Sequence, residues 1–245
     1  MVKIHRIYCK DLSTDVNNYF LDQSQSLHVS KVLRLKVGDN IEVFNGLGRS
    51  AISQIISISK NKIEIKIDSQ IKEEKKNKNV LCAIVPLIKK ENFYFMLQKL
   101  TELGLDKILI YKPHHLDQSL IRKNHEKIFI KSKEVLISAC KQSGINFLPD
   151  LSFNKNLEDS IQELKKTYDG LIYAFDLDAD QSFSQIDFTE SACFVTGPES
   201  GFSQNELGLL KNQNIETRLI GNTILRAETA PIVISSLIQN HFGRI

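Results

Sequence analysis

The feature that most constrains the fold is an alternation of apolar and amphipathic segments that begins at Val80. VLCAIVPL is a continuous apolar run, which is typical of a strand covered on both faces. NFYFMLQKLTELG has helical periodicity and ends at Gly104, and DKILIY predicts the next strand. A long helix then extends to about Gln142 and stops at Gly144, and LEDSIQELKK predicts another helix before the strands GLIYAF and SACFVTG. This pattern predicts an α/β domain with a mainly parallel sheet.

The N-terminal part has a different pattern, which predicts a small β-sheet or barrel. A strand from Lys3 to Cys9 precedes a short helix around Ser24 to Leu33. From Ile41 to Asp68 short strands alternate with turns, at Asn45-Gly46 and at Lys60-Asn61. These signals predict consecutive antiparallel strands.

The polar segment between the two patterns, residues 73–79, predicts a linker because its side chains cannot contribute to a core. We therefore expect an N-terminal domain of residues 1–72 and a C-terminal domain of residues 80–245. Charge also separates the two parts, since residues 1–70 hold 10 Lys and Arg against 7 Asp and Glu. A basic module is typical of nucleic-acid docking, and an ordinary solvated surface accounts for the charge about equally well.

Composition narrows the classes of function. No apolar run reaches the roughly 18 residues of a membrane helix, and the N-terminus lacks an apolar signal sequence, so we expect a cytoplasmic protein without a membrane partner. The four cysteines are far apart, which favours buried, reduced thiols over disulfides or a zinc site. The pair His114-His115 has no third ligand at a suitable spacing, so we expect no metal. Neither glycine-rich phosphate-loop pattern is present, which argues against a nucleoside triphosphate or a dinucleotide.

Two strand-loop-helix units near the C-terminus carry residues suited to chemistry. In ACFVTGPESGFSQNELGLL the strand ends by Thr196, and SQNE at 203–206 predicts a capping box. In ETRLIGNTILRAETAPIVISSLI the strand ends near Gly221, and Thr229 with Pro231 predicts the start of a helix. Both loops follow the carboxyl ends of strands, where open α/β sheets bind ligands. Taken alone, such glycine turns and caps favour an ordinary structural role.

Four segments in combination are more specific. QKLTELG (98–104), GPESGFSQNE (197–206) and LIGNTILRAETA (219–230), with HVSKVLR (28–34), resemble the RsmE family, bacterial methyltransferases that modify N3 of a uridine in 16S ribosomal RNA with S-adenosylmethionine. The resemblance covers nearly the whole chain. It implies a SPOUT-type α/β methyltransferase domain with a trefoil knot, preceded by a PUA-like RNA-binding β-barrel. It also implies a homodimer that acts on 16S rRNA in the small ribosomal subunit.

The family pattern places S-adenosylmethionine between the two C-terminal loops and the last helix. The implied cofactor-binding residues are Thr196, Gly197, Pro198, Glu199, Gly201, Leu219, Ile220, Gly221, Leu225, Arg226, Ala227, Thr229 and Ala230. Loss of the N3 imide proton leaves an anion, which a nearby cation stabilises. Arg226 is the candidate for that cation, and because a guanidinium stays protonated, Glu199, Glu228 or water takes the proton. An ion pair of Arg226 with Glu228 that has no catalytic role is the alternative.

Candidates for contacts with RNA phosphates lie mainly in the N-terminal part. They are Arg6, His28, Lys31, Arg34 and, near the expected cleft, Lys99. The alternative is strong for each residue taken singly, since a lone surface Lys or Arg is usually only solvated. Phosphate contacts position an RNA, whereas ribosomal shape and an exposed base give specificity.

The sequence departs from the family pattern at four positions. Ser200 replaces a loop glycine, Thr223 stands where arginine is common, Lys141 occupies an acidic position, and the next family arginine falls near Ile145. Two alternatives therefore stay open, a related dimer that methylates another RNA and a non-catalytic RNA-binding protein that keeps the fold. The second gains if catalysis needs the two missing arginines.

Overall fold

A computed structural model describes residues 4–60, 62–121, 124–186, 188 and 191–245. The chain divides into two units. Unit 1 comprises Met1–Lys76 and Ile137–Leu148, and unit 2 comprises Asn77–Leu136 and Pro149–Ile245. The predicted turn at Lys60-Asn61 lies partly outside the described residues, as does the start of the predicted first strand.

Unit 1 is built on one sheet with the order β1-β3-β4-β5-β2, in which β6 pairs with β4. The antiparallel pairing of β3, β4 and β5 confirms the predicted consecutive strands, while β1 joins β3 in parallel. Alternate residues such as Ile41, Val43 and Ile55 are buried in one core, as the two-residue period of a strand requires. The strands are β1 (His5–Tyr8), β2 (Asn18–Phe20), β3 (Asn40–Phe44), β4 (Arg49–Ser59), β5 (Lys62–Ile67) and β6 (Lys72–Glu73).

The predicted short helix of unit 1 has two parts. The α-helix α1 (Gln23–Leu27) is capped by Asp22 and continues directly as a π-helical segment, His28–Val32. The Ser30 hydroxyl donates to the Ser26 carbonyl oxygen at 2.8 Å, which competes with the regular backbone ladder and accompanies its widening. The segment ends at Val32, and Arg34, two residues later, has a positive φ of 55°.

Part of the predicted linker belongs to unit 1. β6 pairs with β4, and the Glu74 N–H donates to the Gly48 carbonyl oxygen at 2.9 Å. Unit 1 also includes residues 137–148. The Gly48 N–H donates to the Asn146 carbonyl oxygen, and the Leu148 N–H donates to the Gly46 carbonyl oxygen. These pairings join residues far apart in sequence, and a local pattern of polarity does not reveal them.

Unit 2 contains a six-stranded sheet with the order β12-β10-β11-β7-β8-β9. All five pairings are parallel, which confirms the predicted sheet. β9 is a strand that the sequence did not predict, and β12 ends at Arg218, earlier than expected. The strands are β7 (Leu81–Pro86), β8 (Lys107–Tyr111), β9 (Asp150–Asn154), β10 (Ile172–Phe175), β11 (Ala192–Thr196) and β12 (Glu216–Arg218).

Helices cover the sheet of unit 2. Apolar residues of α5 and α6 share a core with the strand residues Cys82, Ile84 and Val195, while α7 packs against α2, β7 and β11. Gly104 and Gly144 have the positive φ expected of glycines that end helices. The helices are α2 (Lys90–Glu102), α3 (Gln118–Ile121), α4 (His125–Ser143), α5 (Leu157–Lys165), α6 (Gln204–Asn212) and α7 (Thr229–His241), together with a 3₁₀ turn at Phe183–Gln185.

All four cysteines are buried thiols, as predicted. Burial raises the pKa of Cys9 to about 11 and that of Cys140 to about 12, which keeps both thiols protonated at neutral pH. Among the described residues, no helix combines the length and the apolar character needed to cross a membrane.

Candidate functional site

A cavity of about 760 Å³ lies in unit 2, where the neighbouring strands β12, β10 and β11 end. Because all three strands are parallel, their carboxyl ends meet at one edge of the sheet, and the loops that follow them line the cavity. Lys89 and Asn92, at the start of α2, complete the lining. A volume of this size is typical of a cofactor or substrate site.

The two loops singled out from the sequence both line this cavity. Of the thirteen predicted cofactor-binding residues, all except Thr229 contribute to the lining. They are Thr196, Gly197, Pro198, Glu199, Gly201, Leu219, Ile220, Gly221, Leu225, Arg226, Ala227 and Ala230. Thr229 is instead the first residue of α7.

The loop after β11 depends on two glycines. The Gly201 N–H donates to the Pro198 carbonyl oxygen at 2.9 Å, and Gly201 has a φ of 72°, a conformation that side chains disfavour. A Cβ on Gly197 would lie 3.2 Å from the Phe202 nitrogen. The turn is therefore tight, and it brings its backbone groups to the cavity wall.

A capping box fixes the far end of this loop. The Ser203 hydroxyl oxygen accepts from the Glu206 N–H at 3.3 Å, and the Glu206 carboxylate accepts from the Ser203 N–H at 2.8 Å, as predicted. Glu206 also accepts from the His114 N–H at 3.1 Å, which ties α6 to the segment after β8.

The near end of the loop is fixed by a buried tyrosine. The Tyr111 hydroxyl donates to the Thr196 carbonyl oxygen at 3.0 Å. Complete burial, together with the nearby Glu206, raises the pKa of Tyr111 well above its usual value, so the hydroxyl remains a donor. The Thr196 hydroxyl itself is buried at the cavity wall and has no hydrogen-bond partner among the described residues.

The loop between β12 and α7 carries the predicted catalytic pair. The Arg226 side chain is 82% exposed and lines the cavity, and its Nη1 lies 4.0 Å from Oε1 of Glu228. The Glu228 side chain is only 10% exposed and stands directly before α7. The arrangement places an accessible cation beside a buried carboxylate. Glu199, the other predicted acid, is exposed on the cavity wall.

A third loop, after β10, was missed by the sequence analysis. Asp176 and Asp178 line the cavity, and the Asp176 carboxylate accepts from the Asp178 N–H at 3.0 Å. The Asp176 N–H donates to the Arg218 carbonyl oxygen, which fixes this loop to the end of β12. The other two loops were identified because they follow the carboxyl ends of strands. Asp176 follows the predicted strand GLIYAF in the same way, so the same rule could have identified this loop.

The positions that depart from the family pattern divide between the units. Ser200 and Thr223 are exposed and line the cavity of unit 2. Lys141 and Ile145 belong to unit 1, with Lys141 in the last turn of α4.

The predicted RNA contacts do not share one environment. Lys31 and Arg34 are exposed in unit 1, and His28 is half-buried at the start of the π-helical segment. Arg6 is only 10% exposed, and its guanidinium pairs with Glu42 at 3.1 Å and donates to the Cys140 carbonyl oxygen at 2.7 Å. Its donors therefore hold unit 1 together. Lys99 does not line the cavity but pairs with Glu102 at 2.8 Å in the last turn of α2.

His114 and His115 are exposed, and their rings touch edge to face. Over the part of the chain that the structure describes, no group of three or more His, Cys, Asp or Glu side chains is arranged to hold a metal ion.

Comparison with known proteins gives two family matches that together span most of the chain. The model of an RNA methyltransferase domain matches residues 74–239, and that of an RNA methyltransferase PUA domain matches residues 21–68. The ribosomal RNA small subunit methyltransferase E of Rickettsia conorii is 29% identical over 248 residues, which cover 97% of this chain and 96% of that protein.

Two solved structures with bound cofactor have a similar fold. A methyltransferase from Legionella pneumophila in complex with SAM superposes with a TM-score of 0.87 and 23% identity, covering 98% of each chain. A ribosomal RNA small subunit methyltransferase E from Neisseria gonorrhoeae bound to S-adenosyl methionine has a TM-score of 0.81 and 21% identity, and the match covers 97% of this chain and 98% of that one.

Proposed function

We propose that this chain, which belongs to the RNA methyltransferase family and within it to the ribosomal RNA small subunit methyltransferase E (RsmE) family, transfers a methyl group from S-adenosylmethionine to N3 of a uridine in 16S ribosomal RNA. The predicted fold class is confirmed as a SPOUT-type α/β methyltransferase domain with an N-terminal PUA-like β-barrel. The trefoil knot remains a prediction from the family.

The observation that carries the proposal is the cavity at the ends of β10, β11 and β12. The loops predicted to hold the cofactor line it together, and its volume of about 760 Å³ suits a ligand of this size. The unpaired, buried Thr196 hydroxyl and the tight glycine turn beside it supply hydrogen-bonding groups at the wall. The residues present therefore fit S-adenosylmethionine.

Within this proposal the cofactor supplies an electrophilic methyl group, and the protein positions the uridine and handles the N3 proton. In-line placement of the base supplies much of the rate enhancement, and the transfer requires no metal ion. Arg226 is an accessible cation on the cavity wall, suited to stabilise the N3 anion. We assign proton acceptance to Glu228 rather than Glu199, because Glu228 lies beside Arg226 and is shielded from water.

The proposal is tested by incubating the full chain with methyl-labelled cofactor and small ribosomal subunits from a strain that lacks the modification. The expected result is label in 16S rRNA, recovered as N3-methyluridine after digestion to nucleosides. Because a methyl group at N3 blocks base pairing, reverse transcription is expected to stop at the modified uridine. Label confined to another RNA, or no label at all, contradicts the proposal.

The names of the relatives favour the small-subunit substrate over another RNA, and the match to an RNA methyltransferase domain favours an enzyme over a non-catalytic RNA-binding protein. We also propose that the substrate is the assembled small subunit, as distinct from free RNA. The protein is then expected in the cytoplasm, where the subunit is found.

A homodimer is also proposed, on the family resemblance. It is supported by Phe95 of α2 and Leu237 of α7, large apolar side chains that are exposed on two helices packed against each other. Sedimentation equilibrium is expected to give twice the chain mass of 27.9 kDa. A monomer at micromolar concentration contradicts this part of the proposal.

A further inference from the structure

In unit 1, the last turn of α4 brings a cationic side chain against α1. The Lys141 Nζ donates to Oε1 of Gln25 at 3.3 Å, and Gln25 is only 6% exposed. The neighbouring Cys140 carbonyl oxygen accepts from Arg6 of β1, which holds the end of α4 in place. His5, the residue before Arg6, and His28, one helical turn after Gln25, face the same region, since both Lys141 and His5 act electrostatically on His28.

The carboxylates around this cluster are largely committed elsewhere. Glu42 pairs with Arg6, and Asp22, which acts on Lys141 from a distance, accepts the Gln25 N–H at 2.8 Å as the cap of α1. Among the described residues, Lys141 forms no ion pair, and its ammonium group donates to the neutral side-chain amide of Gln25. Tyr8 and Cys140 face the same region but are neutral at physiological pH, and burial raises the pKa of both.

Lys141 therefore carries its positive charge at an energetic cost. Burial lowers the pKa of Lys141 to about 8, and burial together with Lys141 and His5 lowers the pKa of His28 below its usual value. Bringing like charges together out of water destabilises the folded protein unless an anion offsets them. An anion beside Lys141 and His28 would favour the charged form of both.

We propose that Lys141, His28 and His5 form a binding site for a phosphodiester of the RNA backbone, with Gln25 as a positioning residue for Lys141. Exposed Lys31 and Arg34 continue the positive charge along the segment that follows His28. A row of cations suits a polyanionic strand, whereas a single free phosphate needs only one site. The site deepens the proposed function, on which it rests, by assigning part of the RNA docking to Lys141 and His5, which are not among the RNA contacts predicted from the sequence.

The test measures how salt affects binding of the full chain to unmodified small subunits and, separately, to purified 16S rRNA. Each phosphate contact displaces counterions, so Lys141→Gln is expected to reduce the slope of log Kd against log salt by about one and to weaken binding roughly tenfold near 0.1 M salt. Lys141→Arg should retain the wild-type slope. Lys66→Gln, which removes an exposed cation from β5 of the same unit, is the matched control and should change neither quantity.

Three further readouts separate the possible outcomes. Lys141→Gln should leave the thermal midpoint equal or higher, because it removes a desolvated charge; a lower midpoint with an unchanged salt slope overturns the proposal in favour of a structural role. Inorganic phosphate that shifts the His28 ring resonances and displaces 16S rRNA at constant ionic strength assigns the site to free phosphate and also overturns it. Failure of methyl transfer by the wild-type chain contradicts the proposed function. The phosphate site is still tested in that case, because the slopes of log Kd against log salt are measured for binding to purified 16S rRNA and do not depend on methyl transfer.

Discussion

Arg226 is the side chain on which the proposed chemistry depends most directly. Because it is 82% exposed, its removal leaves the packing of unit 2 intact. Arg226→Ala is expected to lower the rate of methyl transfer by about 100-fold or more, the usual loss when a group that stabilises an anion is removed. Calorimetric titration with S-adenosylmethionine, alongside single-turnover rates at saturating cofactor, separates this loss of rate from any loss of cofactor affinity. Lys211→Ala, which removes an exposed cation of α6 outside the cavity, should leave the rate unchanged, and an active Arg226→Ala enzyme removes Arg226 from the mechanism.

Glu228 and Glu199 make a matched pair for locating the proton acceptor. Both line the cavity, but only Glu228 is buried beside Arg226. An amide cannot accept the N3 proton, so Glu228→Gln is expected to lower kcat by about 100-fold or more, whereas Glu199→Gln should change it less than about threefold. Single-turnover rates at saturating cofactor separate this loss from weaker binding. The opposite ranking assigns proton acceptance to Glu199.

At the scale of elements, the capping box of α6 links helix stability to the proposed cofactor site. Ser203→Ala removes the acceptor of the Glu206 N–H, and loss of such a cap costs about 1 kcal/mol of unfolding free energy. The same change frees the end of the glycine turn, so weaker binding of S-adenosylmethionine should accompany the loss of stability.

The matched control for this change is another helix cap. Asn156 caps α5 by accepting the Asp159 N–H at 2.8 Å, and it does not line the cavity. Asn156→Ala should lower stability by a similar amount without changing cofactor affinity, as measured by urea unfolding and calorimetry. Equal cofactor affinities in the two variants would contradict the link between α6 and the site.

Elements that rest on local chemistry could be predicted, and those that rest on distant pairing could not. The cap of α6 and the glycine that ends α2 depend on residues within one helical turn, and the sequence reveals both. β2, β6 and β9 are short strands at the margins of their sheets, and their formation depends on partners elsewhere in the chain. The π-helical widening after α1 has no counterpart in the periodicity of the sequence.

The candidate site shows the same division. Two of its loops contain family motifs, and twelve of the thirteen residues taken from them line the cavity. The third loop, with Asp176, carries no motif and reaches the cavity because β10 lies between β12 and β11 in the sheet. Arg6 was predicted to contact RNA because it is a basic residue in a basic module. In the structure its guanidinium forms an internal ion pair with Glu42.

At the scale of the whole molecule, the pH dependence of stability combines opposing contributions. Cys9 and Cys140 have pKa values raised to about 11 and about 12 by burial, so the stability they contribute is present below their usual value of 9 and is lost as pH rises through the folded values. Lys141 acts in the other direction. Its folded pKa of about 8 lies below the usual 10.5, so between these values the unfolded chain binds more protons and the contribution of Lys141 to stability rises with pH.

A comparison with Lys141→Gln at each pH isolates this contribution, because the cysteine contributions cancel. We expect the variant to be more stable than the wild type below pH 8, and the difference to shrink as pH rises from 8 to 10.5. Urea unfolding of both proteins at closely spaced pH values provides the measurement. A stability difference that stays constant across this range would show that Lys141 is as well solvated in the folded chain as in the unfolded one, and the energetic argument for an anion between Lys141 and His28 would then fail.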